Sequence, residues 1–275
     1  MLGAIIGDIA GSRWEFNPTK DYNFELFSDK NSFTDDTICT VAVADALLHG
    51  SDDYGRFIHD WCSLYPHPMG GYGGRFAQWV MSDTPHPYGS YGNGSAMRVS
   101  PIGMWFEDEG MICSEARKTA ECTHNHPEGI KGAQAVAWAV FCTVESFRSV
   151  MPPEKKNEKI RNIVSGILSN FGYDVHIDYE QHRNIFDETC QGTVPVALDI
   201  IQKSSSFEDA IRKAVSLGAD ADTLGAIVGS IAEHIWGIPD EIREKALSYL
   251  PDDILSVVFN FYDKCKSRTS PIVDG

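Results

Sequence analysis

At 275 residues the chain can bury a large core, and 43% hydrophobic with 23% charged residues describes an ordinary globular protein. A net charge of −16 excludes the basic face that phosphate-backbone binding requires, so nucleic acid is not an expected partner. A local pocket for one small phosphate ligand is not excluded. The seven cysteines, Cys39, Cys62, Cys113, Cys122, Cys142, Cys190 and Cys265, form no CxxC pair. An odd number scattered in apolar contexts such as Phe141-Cys142-Thr143-Val144 reads as reduced, buried thiols of a cytoplasmic protein. The apolar start Leu2 to Ile6 meets Asp8 too soon for a signal peptide, and no run reaches the ~18 apolar residues of a membrane span.

Helical periodicity dominates the chain. Residues 2–11 are apolar and small, as in a helix buried on most sides. Apolar residues recur at i, i+3, i+4 spacing over 35–49, 94–106, 109–123, 128–149, 155–169, 190–203, 206–217, 222–236, 240–249 and 252–266. A further helix start is read at Arg75-Phe76-Ala77-Gln78-Trp79. Breakers fall between these segments: Pro66 to Gly71, Pro85 to Gly89, Pro152-Pro153 and Gly237-Ile238-Pro239. Alternating strand patterns are scarce, and there is no internal repeat or low-complexity tract. The expected architecture is one all-α domain over residues 1–266, with a loose tail at 267–275 and a monomeric state.

Two acidic turns stand out, Thr34-Asp35-Asp36-Thr37 and Asp220-Ala221-Asp222-Thr223. Taken singly, each reads as a helix cap, because Asp and Thr side chains accept the unpaired first-turn N–H groups. One cap residue suffices for one helix, however. Asp35 and Asp36 are adjacent like charges leading into Ile38 to Ala44, and Asp220 and Asp222 lead into Leu224 to Ile231. Carboxylate pairs entering an interior are costly unless a cation balances them. Two such turns facing each other would offer six hard oxygen ligands, which suits Mg²⁺ or Mn²⁺. Gly225 and Gly229 lie on one face of the second helix and would let another helix, or a ligand, come close.

Two glycine-rich segments precede helix starts: Gly70-Gly71-Tyr72-Gly73-Gly74 and Gly89-Ser90-Tyr91-Gly92-Asn93-Gly94. Each alone reads as a flexible turn; together, in an acidic protein, their amides offer a seat for a diphosphate. In Thr123-His124-Asn125-His126-Pro127, no Cys or third His stands at zinc spacing. His124 is read as a substrate contact and His126 as structural. His49, His59, His67 and His86 are read as surface or packing residues.

Five ordered motifs are similar to those of the ADP-ribosylglycohydrolase family, which includes the dinitrogenase reductase-activating glycohydrolase and J1 crystallin. They are Gly7-Asp8 followed by Gly11 and Glu15; Phe33 to Thr37; Gly92 to Arg98; Thr123-His124; and Gly218 to Thr223. The resemblance runs from Gly3 to Pro239. It implies a compact all-α fold with a binuclear Mg²⁺ or Mn²⁺ centre at the base of a cleft. The implied metal ligands are Thr34, Asp35 and Asp36 from one side, and Asp220, Asp222 and Thr223 from the other. Glu15 matches a glutamate over the metals near the scissile bond and, with Asp36, is an expected catalytic residue. Gly71, Gly73, Gly89, Ser90, Tyr91 and Asn93 match the loops that hold the diphosphate and distal ribose, and His124 lies on the adenosine side. Ser95, Ala219, Ala221 and Glu233-His234 depart from the family's commoner residues, and none of them removes a ligand.

The implied reaction is hydrolysis at C1″ of the distal ribose in an ADP-ribosyl adduct. The partner is then an ADP-ribosylated protein or a small ADP-ribose derivative, with arginine as the first acceptor and serine or O-acyl adducts as alternatives. Ring opening of the ribose is a second route for arginine adducts. Two other classes stay open on the residues alone. One is a metal-dependent phosphoester or nucleotide hydrolase, which would cleave a pyrophosphate instead of releasing ADP-ribose. The other is a non-catalytic ADP-ribose-binding or crystallin-like protein, which would not need all six ligand candidates and Glu15.

Overall fold

A computed structural model describes residues 1–269 as fourteen α-helices and two 3₁₀ turns. No strand forms among the described residues; Gly92 and Thr189 make one isolated antiparallel bridge. In chain order the helices are α1 (Leu2–Gly11), α2 (Asp35–Leu48), α3 (Tyr54–Leu64), α4 (Gly74–Val80), α5 (Gly94–Met97), α6 (Ser100–Trp105) and α7 (Glu109–Glu121). They continue with α8 (Pro127–Ser146), α9 (Pro153–Asn170), α10 (Cys190–Gln202), α11 (Phe207–Ser216), α12 (Ala221–Trp236), α13 (Asp240–Leu247) and α14 (Asp252–Thr269). None of the described helices is long and apolar enough to cross a membrane. None of the seven cysteines forms a disulfide, as their spacing implied; Cys39, Cys62 and Cys190 are buried as expected, and Cys113, Cys122, Cys142 and Cys265 are half-buried.

The centre of the fold is the pair α1–α12. Every residue of α1 is buried, as is nearly every residue of α12, so neither helix could be amphipathic. Their close approach rests on glycines spaced four apart on both. A methyl group on Gly7 would sit 1.9 Å from the Gly225 carbonyl oxygen, and one on Gly3 2.1 Å from that of Gly229. Gly11 meets the Ala221 carbonyl in the same way, at 2.4 Å. Backbone therefore touches backbone along the whole contact. At its far end, buried Glu233 of α12 accepts from the Gly3 amide and from the Tyr262 hydroxyl of α14. At the near end, the contact brings Asp8 of α1 beside the start of α12.

Three segments differ from the periodicity. Helix α3 has no counterpart among the expected segments, although Tyr54, Phe57, Ile58 and Cys62 form a regular buried stripe. The expected helix over 94–106 is two helices, α5 and α6. Pro101 has no N–H to give the Met97 carbonyl, and its ring opposes a continuous helix there; that carbonyl accepts from Thr40 Oγ1 instead, at 3.4 Å. The last helix runs to Thr269, past the expected start of the tail. The remainder of the expected tail lies outside the described residues.

Candidate active site

Chain segments far apart in sequence meet in one cleft of about 390 Å³. Of the residues expected to act, Glu15, Asp35, Asp36, Gly71, Gly73, Ser90, Asn93, His124, Asp220, Asp222 and Thr223 line it. Thr34, Gly89 and Tyr91 do not; they sit just behind or beside the wall. That volume falls in the range of about 300–1,000 Å³ common to small-molecule sites.

The floor is built by the N-termini of α2 and α12. Thr34 caps α2, accepting from the Asp36 amide at 3.2 Å. Its own hydroxyl donates to Asp8 Oδ1 at 2.8 Å. Asp8 is fully buried and also accepts from the Thr34 amide at 3.0 Å, the Thr37 amide at 3.1 Å and the Thr37 hydroxyl. Asp8 thereby locks the acidic turn of α2 onto α1, and hence onto α12. Burial raises its pKa to about 6 against the lowering effect of these four donors. The capping interpretation fails at the second turn. Asp220 occupies the cap position of α12, yet its side chain makes no cap bond. It accepts instead from Asn93 Nδ2 at 2.7 Å, and Asn93 also donates to Thr193 Oγ1 at 3.1 Å. Asn93 is thus oriented toward holding Asp220.

The two turns touch directly: Thr223 Oγ1 donates to Asp36 Oδ2 at 3.2 Å. Glu15, Asp220 and Asp222 each place a carboxylate oxygen within 4.8 Å of the others. The cluster is short of positive charge and of donors. Asp36 Oδ1 and Asp222 Oδ1 are buried with no hydrogen-bond partner, which costs on the order of 1–3 kcal/mol each when left so. Burial, then the mutual repulsion of Asp8, Glu15 and Asp220, raises Asp35 to about 8. Asp36 is held well above its usual value by burial and then by Asp8, Asp35 and Asp220, and Asp222 by burial and then by Asp220, Asp36 and Glu15. Asp220 is raised to about 6, chiefly by burial. Glu15 is raised to about 7 by burial and then by the charge of Asp220. Orphaned hard oxygens in a repelling cluster fit a divalent cation.

The upper wall is glycine. A methyl group on Gly70 would lie 2.5 Å from Glu15 Oε2, so the turn at Gly70-Gly71, both at φ +78°, passes directly over that carboxylate. Gly73 faces open space. The Gly89 amide donates to Asn125 Oδ1 at 2.7 Å, which ties the second glycine-rich loop to the turn after α7. The Tyr91 ring packs on His126 at 5.1 Å, and His126 Nδ1 accepts from the Glu128 amide as the cap of α8.

At the other end of the cleft stand Arg75, Tyr88, Arg98 and His124. Arg98 is 1% exposed and donates to the Thr119 carbonyl and to Thr123 Oγ1, at 2.7 and 2.8 Å. Thr123 Oγ1 lies 2.7 Å from His124 Nδ1. A guanidinium can only donate, so the Thr123 hydroxyl accepts from Arg98, and its second lone pair and its proton let it pair with either tautomer of His124 at Nδ1. The other ring nitrogen, Nε2, faces Gly92 and Gly94. Burial, then Arg98 and Arg75, holds the His124 pKa well below its usual value, so the ring is neutral.

The whole described chain matches one family of known proteins, the ADP-ribosylglycohydrolase family, over residues 1–270. The chain belongs to that family. It is an ADP-ribosylhydrolase, as the resemblance of its motifs implied. ADP-ribosylarginine hydrolase Tri1 of Pseudomonas putida is 25% identical over 275 residues, covering 89% of this chain and 72% of that protein. ADP-ribosylhydrolase ARH3 of Danio rerio is 23% identical over 304 residues, covering 86% and 82%. A solved structure described as an ADP-ribosylglycohydrolase-related protein complex superposes with a TM-score of 0.68 at 22% identity, covering 96% of this chain and 97% of that one.

Several site residues had no role assigned from the sequence. Asp8 had two signals, its place in the motif Gly7-Asp8 and a carboxylate in an otherwise apolar ten-residue helix. Arg98 closes the motif that starts at Gly92, and Phe16, Arg75, Tyr88 and Glu188 are ordinary loop or helix residues until the fold assembles them.

Proposed function

We propose that this ADP-ribosylhydrolase removes ADP-ribose from arginine side chains, using two Mg²⁺ or Mn²⁺ ions held between its acidic turns. The observation that supports it best is the pair of buried, unpartnered oxygens, Asp36 Oδ1 and Asp222 Oδ1, in contacting turns. Asp35, Asp36, Asp220, Asp222 and Thr223 would hold the ions. Thr34 would join them, since its hydroxyl donates to Asp8 and so keeps its oxygen as an acceptor. Bound there, the cations would supply a fixed seat for the ribose hydroxyls and compensate the charge of the cluster.

The chain's own groups account for the rest. Gly71, Gly73, Gly89, Ser90 and Tyr91 would carry the diphosphate and distal ribose, and His124 Nε2–H would donate to the adenosine side. Cleaving the C1″–N bond builds positive charge on the ribose, which the nearby carboxylates would stabilise. Glu15, beside Asp220 and Asp222 under the Gly70-Gly71 turn, is placed to take a proton from water and to pass it to the departing guanidine. Asp36 would share in orienting that water. The water oxygen ends on C1″, and the products are free ADP-ribose and unmodified arginine.

Defined ADP-ribosylated arginine, serine and O-acyl substrates, assayed with chelator and with Mg²⁺ or Mn²⁺, test this. Metal-dependent release of intact ADP-ribose from arginine is expected. Release from serine or O-acyl adducts alone would move the acceptor, and cleaved pyrophosphate would replace the reaction. Tight ADP-ribose binding without turnover on any adduct would make the protein a binder.

A further inference from the structure

The cleft is electrically polar along its length, and its acidic end carries more than the metal cluster requires. Arg75 and Arg98 stand at the His124 end, where Arg75 donates to the Tyr88 carbonyl and lies 4.8 Å from the Tyr88 ring. At the Glu15 end the lining includes Phe16 and Glu188. Phe16 is 71% exposed, and Phe186, 47% exposed, lies against it with ring centroids 6.5 Å apart. Two large aromatic rings are thus held in water, and one of them, Phe16, lines the same cleft as Glu188. Glu188 is exposed and takes part in no ion pair or side-chain hydrogen bond among the described residues. Its backbone is firmly placed, because its carbonyl accepts from the Asn93 amide at 2.7 Å. Its charge also opposes ionisation of Glu15 and Asp220, so the fold tolerates it at a mouth already crowded with negative charge.

We infer that Phe16, Phe186 and Glu188 form the acceptor subsite of the proposed reaction, built for a planar cation on the leaving group. A guanidinium meets both demands at once. Its flat face stacks on an aromatic ring, and its N–H fork pairs with a carboxylate. A serine hydroxyl or an O-acyl group meets neither, and an acidic leaving group would be repelled. The polarity of the cleft sets the direction of the substrate. The diphosphate and adenosine lie toward Arg75, Arg98 and His124, and the acceptor side chain leaves past Glu15 between Phe16 and Glu188. The inference rests on the arginine reading above and adds the residues that would enforce it.

Two measurements test it with the full chain. The first is the ratio of kcat/KM for an ADP-ribosylarginine peptide to that for an ADP-ribosylserine peptide of the same flanking sequence. Glu188→Gln is expected to lower that ratio about tenfold, the scale of one charge-assisted hydrogen bond at a partly exposed site, and Glu188→Asp to recover part of it. Phe16→Ala with Phe186→Ala should lower it by a further few-fold. The second is calorimetric binding of agmatine, a guanidinium probe, to the protein saturated with Mg²⁺ and ADP-ribose. Wild type should bind it and Glu188→Gln should bind it at least fivefold more weakly. An unchanged ratio together with agmatine affinity independent of Glu188 overturns the subsite while leaving the arginine reading intact. Agmatine binding that depends on Glu188 in a protein that fails to cleave the arginine adduct overturns that reading and leaves the subsite standing.

Discussion

Gly7→Ala should damage the site from its foundations without touching a site residue. The added methyl would lie 1.9 Å from the Gly225 oxygen and 2.2 Å from its carbonyl carbon, and both are backbone. Ordinary contact begins near 3.4 Å, so α1 and α12 must separate by about 1.5 Å at this point. No flexible side chain can absorb the change, which places it at the upper end of overpacking costs, about 3 kcal/mol. With an unfolding entropy of about 2.1 cal/mol/K per residue, that corresponds to roughly 5 °C in melting temperature. The shift also moves Asp8, and through Thr34 and Thr37 the whole acidic turn of α2, away from Asp222. Mn²⁺ affinity should therefore fall by an order of magnitude or more, since about 1 Å of misplacement can cost ~10²-fold in function. The assays are thermal melting in chelator and calorimetric Mn²⁺ titration. Gly166→Ala is the control: it adds a methyl in open space within α9 and should be neutral or slightly stabilising. A Gly7→Ala protein that melts within 1 °C of wild type, or binds Mn²⁺ as wild type does, would refute the packing argument.

Glu15→Gln should leave ADP-ribose binding within a few-fold of wild type and reduce turnover by roughly 10²-fold, the usual scale for removing an acid or base; full turnover would reduce Glu15 to a wall residue. In the cation-free protein, Glu15, Asp35 and Asp220 have folded-state pKa values of about 7, 8 and 6, above the ordinary carboxylate range. Groups raised in this way stabilise the fold below their unfolded pKa of about 4 and withdraw that support as pH rises through the folded values. Melting temperature in chelator should thus fall between about pH 4.5 and 8, less steeply in Asp35→Asn, and saturating Mg²⁺ should flatten the fall. A wild-type slope equal to that of Asp35→Asn would contradict this. Thr123→Val removes the hydroxyl that pairs with His124 Nδ1. Nitrogen-15 spectra should show an Nε2–H ring in wild type and a mixed or shifted ring in the variant, restored by Thr123→Ser, with ADP-ribose affinity following the same order. An Nδ1–H ring in wild type would remove the Nε2 donor proposed for the adenosine side.

The acidic turns were legible because two carboxylates at a helix entry exceed what capping needs: Thr34 alone caps α2, and Asp220 makes no cap bond at α12. The helical fold was legible from periodicity, and Gly225 and Gly229 announced a close neighbour without naming it. That neighbour is α1, and only the assembled backbone shows Gly3, Gly7 and Gly11 in register with it. Helix α3 escaped because Gly55 weakens its first turn and half of its buried stripe, Tyr54 and Phe57, is aromatic, so local propensity is low there. The break at Pro101 was written in the sequence, yet apolar spacing on both sides hid it. Glu188, Phe16 and Phe186 carry no local signal at all. They matter through where long-range packing puts them, and periodicity does not report that.

If the turns at Asp35-Asp36 and Asp220-Asp222 hold divalent cations, anomalous diffraction from crystals grown with Mn²⁺ will show it. Two manganese peaks are expected between those turns, with Asp36 Oδ1 and Asp222 Oδ1, the buried oxygens without a hydrogen-bond partner, among the ligands. Well-ordered carboxylates with no anomalous peak between them, at a Mn²⁺ concentration that supports catalysis, would contradict it.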